Sequence, residues 1–170
     1  MCAWGYPVMR MIRQDATRGQ RIEDILALWA GQAKAGLPTL LELDPVGNAP
    51  THVGSTLLIN RDGTCRLAGG DAETFLERDC KGMLATTFFC GRAGALALDA
   101  VSAALGSGRP HVREIRSGGF DFAVAATPFG SNSRELAGVM LVIATDALTL
   151  RRLNASLESE PSMEVVSRVA

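Results

Sequence analysis

The segment 137–145, AGVMLVIAT, constrains the fold of this chain more than any other stretch. It has strand length, far short of the ~18–20 apolar residues a membrane-spanning helix needs. Along a strand, successive side chains point to opposite faces of the sheet. Here both alternating sets, Val139/Leu141/Ile143 and Met140/Val142/Ala144, are apolar. A strand exposed on one side alternates apolar with polar residues, so this strand is expected to be covered on both faces. One candidate cover lies near the N-terminus. Ile22, Ile25, Leu26 and Trp29 recur at i, i+3, i+4, i+7 and form one stripe of a helix beginning at Arg21. That stripe is expected either to cap the sheet or to form a dimer contact.

Turn chemistry places the other elements. Gly36 and Pro38 end the first helix, and segment 40–54, with Pro45, Gly47, Pro50 and Gly54, reads as a connection. Asp62-Gly63 between strands 55–60 and 64–69 signals a hairpin, because Gly63 can take the positive φ that closes the turn. Gly69-Gly70 releases the chain, and Asp71 is the expected N-cap of a short helix 72–76. A longer helix with Leu98, Val101 and Leu105 on one face ends near Gly106 or Gly108. Strands follow at 111–117 and 120–127, joined across Ser117-Gly118-Gly119, and then comes 137–145. Asp146 is the expected cap of a last helix carrying Leu150, Leu153 and Leu157; beyond Pro161 no pattern emerges. Two hairpin groups around a helical insert imply an α+β domain, an antiparallel sheet with helices on one face.

A chain of 170 residues suits one such domain plus extensions. The division expected is a flexible leader 1–20, an N-terminal helix and connection 21–50, a core 51–146, and a C-terminal helix and tail 147–170. With a formal net charge of −1, the chain has no overall electrostatic pull towards nucleic acid or anionic membrane. Arg10, Arg13, Arg18 and Arg21 precede no apolar signal-peptide core. The reading is a cytoplasmic protein without a membrane span. Cys2, Cys65, Cys80 and Cys90 contain no CxxC pair, so free thiols are expected rather than a metal site.

The order of these elements, with LLINRDGTCRLAGG leading into DAETFLERDCKGM and FF, resembles the PAS family over residues 22–146. The upstream ILALWAGQAKAGLPTLLELDP resembles a bacterial PAS subfamily in which a Trp-bearing helix, a Gly-Leu-Pro stop and an Asp-Pro precede the sheet. The resemblance implies a five-stranded antiparallel sheet with a helix-lined hollow, flanked by N- and C-terminal helices. It also implies a regulatory module in signal transduction, working through a protein partner such as a signalling kinase or response component and through homodimerisation. Many such domains are joined to an output domain; this chain departs from that pattern, since little sequence follows the last strand, and is expected to be a stand-alone module. Residues 21–35 and 147–157 would be the dimerising helices. A small apolar or mixed ligand in the hollow is the alternative.

The chemistry-bearing residues support no catalytic role. Gly69-Gly70-Asp71 lacks P-loop spacing, and Asp71 would repel a phosphate. In flavin photosensors of this superfamily the reactive Cys follows the Gly that matches Gly82, which points to Ala85; Cys80 precedes Gly82 and is out of register. The haem-binding members use a His on the long helix, yet 92–106 contains none, and His52 and His111 read as loop and strand-end histidines. Neither haem nor flavin is therefore expected, and no cofactor is identified. Asp71, Glu73, Glu77 and Asp79, with Arg78 and Lys81, read as a solvated helical face. Ser131-Asn132-Ser133 has no His partner, so no enzyme is expected. Leu58, Leu67, Phe75, Met83, Phe88, Leu98, Val101, Ile115, Phe122 and Leu141 are the residues expected at the core or a hypothetical pocket. Ala93, Ala95, Ala97, Ala100, Ala103 and Ala104 could leave room there, or let the long helix pack closely.

Overall fold

A computed structural model describes residues 18–116, 120–160 and 164–170. The leader up to residue 17 and the turn 117–119 lie outside the described residues.

The chain begins with α1 (Arg18–Gln32), three residues earlier than the apolar stripe suggested. The expected connection holds two single-turn helices, α2 (Leu40–Leu43) and α3 (Pro45–Asn48). A capping box opens α2: the Glu42 N–H donates to the Thr39 hydroxyl, and the Glu42 carboxylate accepts from the Thr39 N–H. The Arg134 guanidinium bonds the same carboxylate at 2.7 Å and the Leu37 carbonyl at 3.1 Å, pinning the connection to the far end of the sheet.

Six strands follow in an antiparallel sheet: β1 (Thr56–Asn60), β2 (Cys65–Ala68), β3 (His111–Arg116), β4 (Asp121–Gly130), β5 (Leu136–Thr145) and β6 (Glu164–Val169). Their spatial order is β2-β1-β5-β4-β3-β6. Between β2 and β3 run α4 (Gly70–Leu76), α5 (Ala85–Phe88) and α6 (Gly91–Ser107); α7 (Leu150–Ser159) follows β5. The first five strands and their helical insert make the α+β, PAS-like arrangement that the sequence resemblance implied. The sixth strand is an addition: in the tail where no pattern emerged, Glu164–Val169 pairs with β3 from Arg116 to His111.

The register of β5 explains its double apolar pattern. Val139, Leu141 and Ile143 join the larger core beneath α4–α7 with Leu57, Ile59, Phe122, Val124 and Ala126. Met140, Val142 and Ala144 face the other way, towards α1, where Ile25 packs on Met140 and Val142, and Ile22 and Leu26 pack near Val112 and Ala125. Helices therefore cover both faces, not one. Ile22, Ile25 and Leu26 are buried, and the Trp29 indole N–H donates to the Pro128 carbonyl at 2.7 Å. All four stripe residues are engaged within the chain.

Two caps differ from expectation. Asp71 makes no cap bond; Gly69 holds the N-cap position of α4. A Cβ on Gly69 would stand 2.1 Å from the Val53 carbonyl oxygen, so glycine is required by close approach, whereas one on Gly70 would meet nothing. Helix α7 is capped by Thr149, whose hydroxyl accepts from the Arg152 N–H, while Asp146 accepts from the Asp121 N–H instead. Gly63 takes φ +85 in the β1–β2 turn as its sequence implied. Among the described residues no helix is long and apolar enough to cross a membrane.

Candidate functional site

The space between the sheet and helices α4–α7 is where a PAS hollow would lie. Side chains occupy it. Phe75, Phe88, Val101, Ile115, Phe122 and Leu141 sit in one cluster, each no more than 4% exposed. The Phe75 and Phe122 rings stack with centroids 6.3 Å apart, joining α4 to β4 through the middle of this space. Met83 and Leu98 pack against the cluster from partly buried positions. The alanines of α6 serve close packing. Ala93, Ala97, Ala100 and Ala104 form a fully buried stripe that lets the helix sit close over β3, β4 and β5, while Ala95 and Ala103 lie off it.

Leu58 and Leu67 depart from expectation. They are cross-strand partners, Leu58 opposite Leu67, and so share one face. That face is the α1 side: Leu58 packs against the cluster containing Ile25 and Met140, and Leu67 is 48% exposed at the rim strand. All three apolar residues of Leu57-Leu58-Ile59 fit a strand equally well, so alternation gave no sign of which one faced inward.

Both histidines, read from sequence as loop and strand-end residues, are buried. His52 is 2% exposed, with Nε2 3.4 Å from the Asp24 carboxylate. His111 lies 2.8 Å from the Ser107 hydroxyl through Nε2, and its Nδ1 has no partner. Burial, then the nearby Arg113, pushes the His111 pKa down. Cys65 and Cys80 are buried thiols. Desolvation and the neighbouring Cys65 push the Cys80 thiol up to about 11, far from the thiolate a nucleophile requires. Among the described residues no group of three His, Cys, Asp or Glu side chains is arranged to hold a metal. Of the acidic run, Asp71, Glu77 and Asp79 are exposed and Glu73 is half-buried.

Among the described residues, cavities lie at the margins of the core. One, about 560 Å³, is a groove between α7 and the α4–α6 segment. Leu76, Phe88 and Leu150 line it, as do Arg151 and Glu77, which form an ion pair at 3.1 Å. Asn154 closes one wall: its side-chain oxygen accepts from the Ala93 N–H at 2.9 Å and its amide donates to the Cys90 carbonyl at 2.8 Å. It thus caps α6 from another helix, and Gly91 at φ +69 leaves the room, since a Cβ there would fall 2.3 Å from the Asn154 amide. Sequence reasoning missed Asn154 because its partners are 61 and 64 residues away.

Another cavity, about 260 Å³, opens where β1 begins and β5 ends. Arg21 of α1, Asp71 of α4 and Asp146 after β5 contribute charged groups, and Ser55 and Thr145 hydroxyls. Ala72, Phe75, Ile143 and Ala147 supply an apolar wall.

No protein-family model and no curated protein matches the chain. Among solved structures, the PAS domain of histidine kinase ThkA aligns over 53% of this chain and 96% of that domain, at 16% identity and a TM-score of 0.43. At that similarity the fold assignment rests on the element order and sheet pairing described above.

Proposed function

We propose that this chain is a cytoplasmic regulatory module of PAS type, acting in signal transduction through protein–protein contact and as a homodimer. The observation that carries this reading is the filled interior: the Phe75–Phe122 stack and the buried alanine stripe of α6 occupy the space where a cofactor would sit. A module with its hollow packed by its own side chains has its outer surfaces to signal with. The rim strand β6 is the surface this reading puts forward. Among the described residues it pairs with β3 on one side only, and Val165 and Val169 are 44% and 58% exposed. A strand edge of this kind offers main-chain hydrogen bonds to another chain. Arg168 ties the same strand to Glu23 of α1 and, at 3.6 Å, to Glu114 of β3. A contact at the rim would therefore be felt by the helix covering the second face.

Light scattering tests this directly. The wild-type protein is expected to be dimeric, and Val165→Lys with Val169→Lys is expected to give a monomer with an unchanged melting temperature. A monomeric wild type, or a dimer indifferent to both lysines, would count against the rim as the contact. A ligand-sensing role for the central hollow is the second reading, and the packed interior disfavours it.

A further inference from the structure

The cavity of about 260 Å³ at the end of the sheet combines features that the regulatory reading does not use. Arg21 is half-buried, and its Nε–H is buried without a hydrogen-bond partner. Leaving such a donor unpaired costs about 1–3 kcal/mol, more for a charged group, so the site gains from a ligand that supplies an acceptor. Asp71, which failed to cap its helix, is turned over the Cα of Gly54: a Cβ there would lie 2.3 Å from its carboxylate oxygen. Asp71 and Asp146 are exposed and line the cavity, and Asp146 is engaged with the Asp121 N–H. Among the described residues no ion pair joins Arg21 to Asp71. The Arg21 cation and the Asp71 carboxylate thus line one cavity whose apolar wall includes Phe75 and Ile143.

That arrangement selects by charge. A simple anion such as phosphate could pair with Arg21 but would face the Asp71 carboxylate. A simple amine could pair with Asp71 but would leave the guanidinium donor unmet. A molecule carrying both charges a short distance apart satisfies both. The cavity, about 260 Å³, has room for a small molecule.

We propose that this cavity binds a small zwitterion of the α-amino-acid class with an apolar side chain. The ligand carboxylate pairs with Arg21, the ammonium with Asp71, and the side chain lies on Phe75 and Ile143. Phe75 also belongs to the stack at the centre of the core, so an occupied cavity reaches the sheet through one ring. The site stands independently of the dimer: a failure here would leave the rim contact untouched.

Isothermal titration with L-leucine, L-valine and L-methionine tests the proposal, alongside 4-methylpentanoate, which lacks the amine, and isopentylamine, which lacks the carboxylate. Saturable one-site binding of at least one amino acid is expected. For leucine as binder, each truncated analogue should be at least tenfold weaker. Arg21→Gln and Asp71→Asn should each weaken binding at least tenfold while melting within a few degrees of wild type. The asparagine variant, at an exposed position, serves if the glutamine variant proves unstable. No saturable binding by any of the three amino acids would overturn the proposal. So would truncated analogues that bind as well as leucine, or wild-type affinity in both variants.

Discussion

At the scale of single residues, burial decides which groups can react. Three described cysteines sit in one chain, yet only Cys90 is exposed. Cys65 is 1% exposed and Cys80 0%, and desolvation raises the pKa of both thiols. Iodoacetamide at pH 8 is therefore expected to label Cys90 in the folded protein and to reach Cys65 and Cys80 only after unfolding, as read by peptide mapping. Equal labelling of Cys80 without denaturant would contradict its place in the core. The raised thiol also carries a pH signature. A pKa higher in the folded than the unfolded state favours folding while the group is protonated, so Cys80 contributes stability below its ordinary value of 9.0 that is lost as pH rises towards about 11. Cys80→Ala should flatten that alkaline loss. From the sequence, the family resemblance placed Cys80 out of register with the reactive Cys of the photosensors but gave no sign of its burial. The sequence could not show the pairing of Leu58 with Leu67 on the α1 side, because a one-residue choice of face moves a whole strand.

At the scale of elements, helix α1 is the clearest case of a local pattern with a non-local consequence. Its stripe was legible as Ile22, Ile25, Leu26 and Trp29; so was the need for a cover, from the double apolar pattern of β5. The structure joins the two observations: Ile25 is fully buried against Met140 and Val142. Ile25→Asp is expected to unfold the protein or lower its stability severely, because an unpaired carboxylate would be buried. Trp29→Phe keeps most of the ring but removes the donor to the Pro128 carbonyl, with an expected loss of about 1 kcal/mol in chemical denaturation. A folded Ile25→Asp variant of unchanged stability would show that α1 does not cap the sheet. Other elements were hidden for physical reasons. The turns α2 and α3 are too short for a period to show, and β6, EVVSRV, gains its strand identity from pairing with β3. Both expected aspartate caps failed because a cap is set by the path of the chain into the helix. Gly69 is fixed there by the Val53 and Gly54 carbonyls, and Thr149 by the turn after Ala147.

At the scale of the whole molecule, two helical layers enclose one sheet, and the interior is filled. The α+β arrangement and the order of most elements were legible because turn residues and apolar periods punctuate the chain clearly. The candidate site was less so: six of the ten proposed pocket residues share one buried cluster, but they pack on one another there. Whether apolar residues surround a hollow or fill it depends on side-chain volumes meeting in three dimensions, as Phe75 meets Phe122. The measurement that tests this most directly is native mass spectrometry of the purified protein together with its ultraviolet-visible spectrum. A packed module working through protein contact should give the mass of two 18.0 kDa chains, with absorbance from its aromatic residues alone. A single chain carrying a stoichiometric, cofactor-sized adduct with its own absorption band would contradict it.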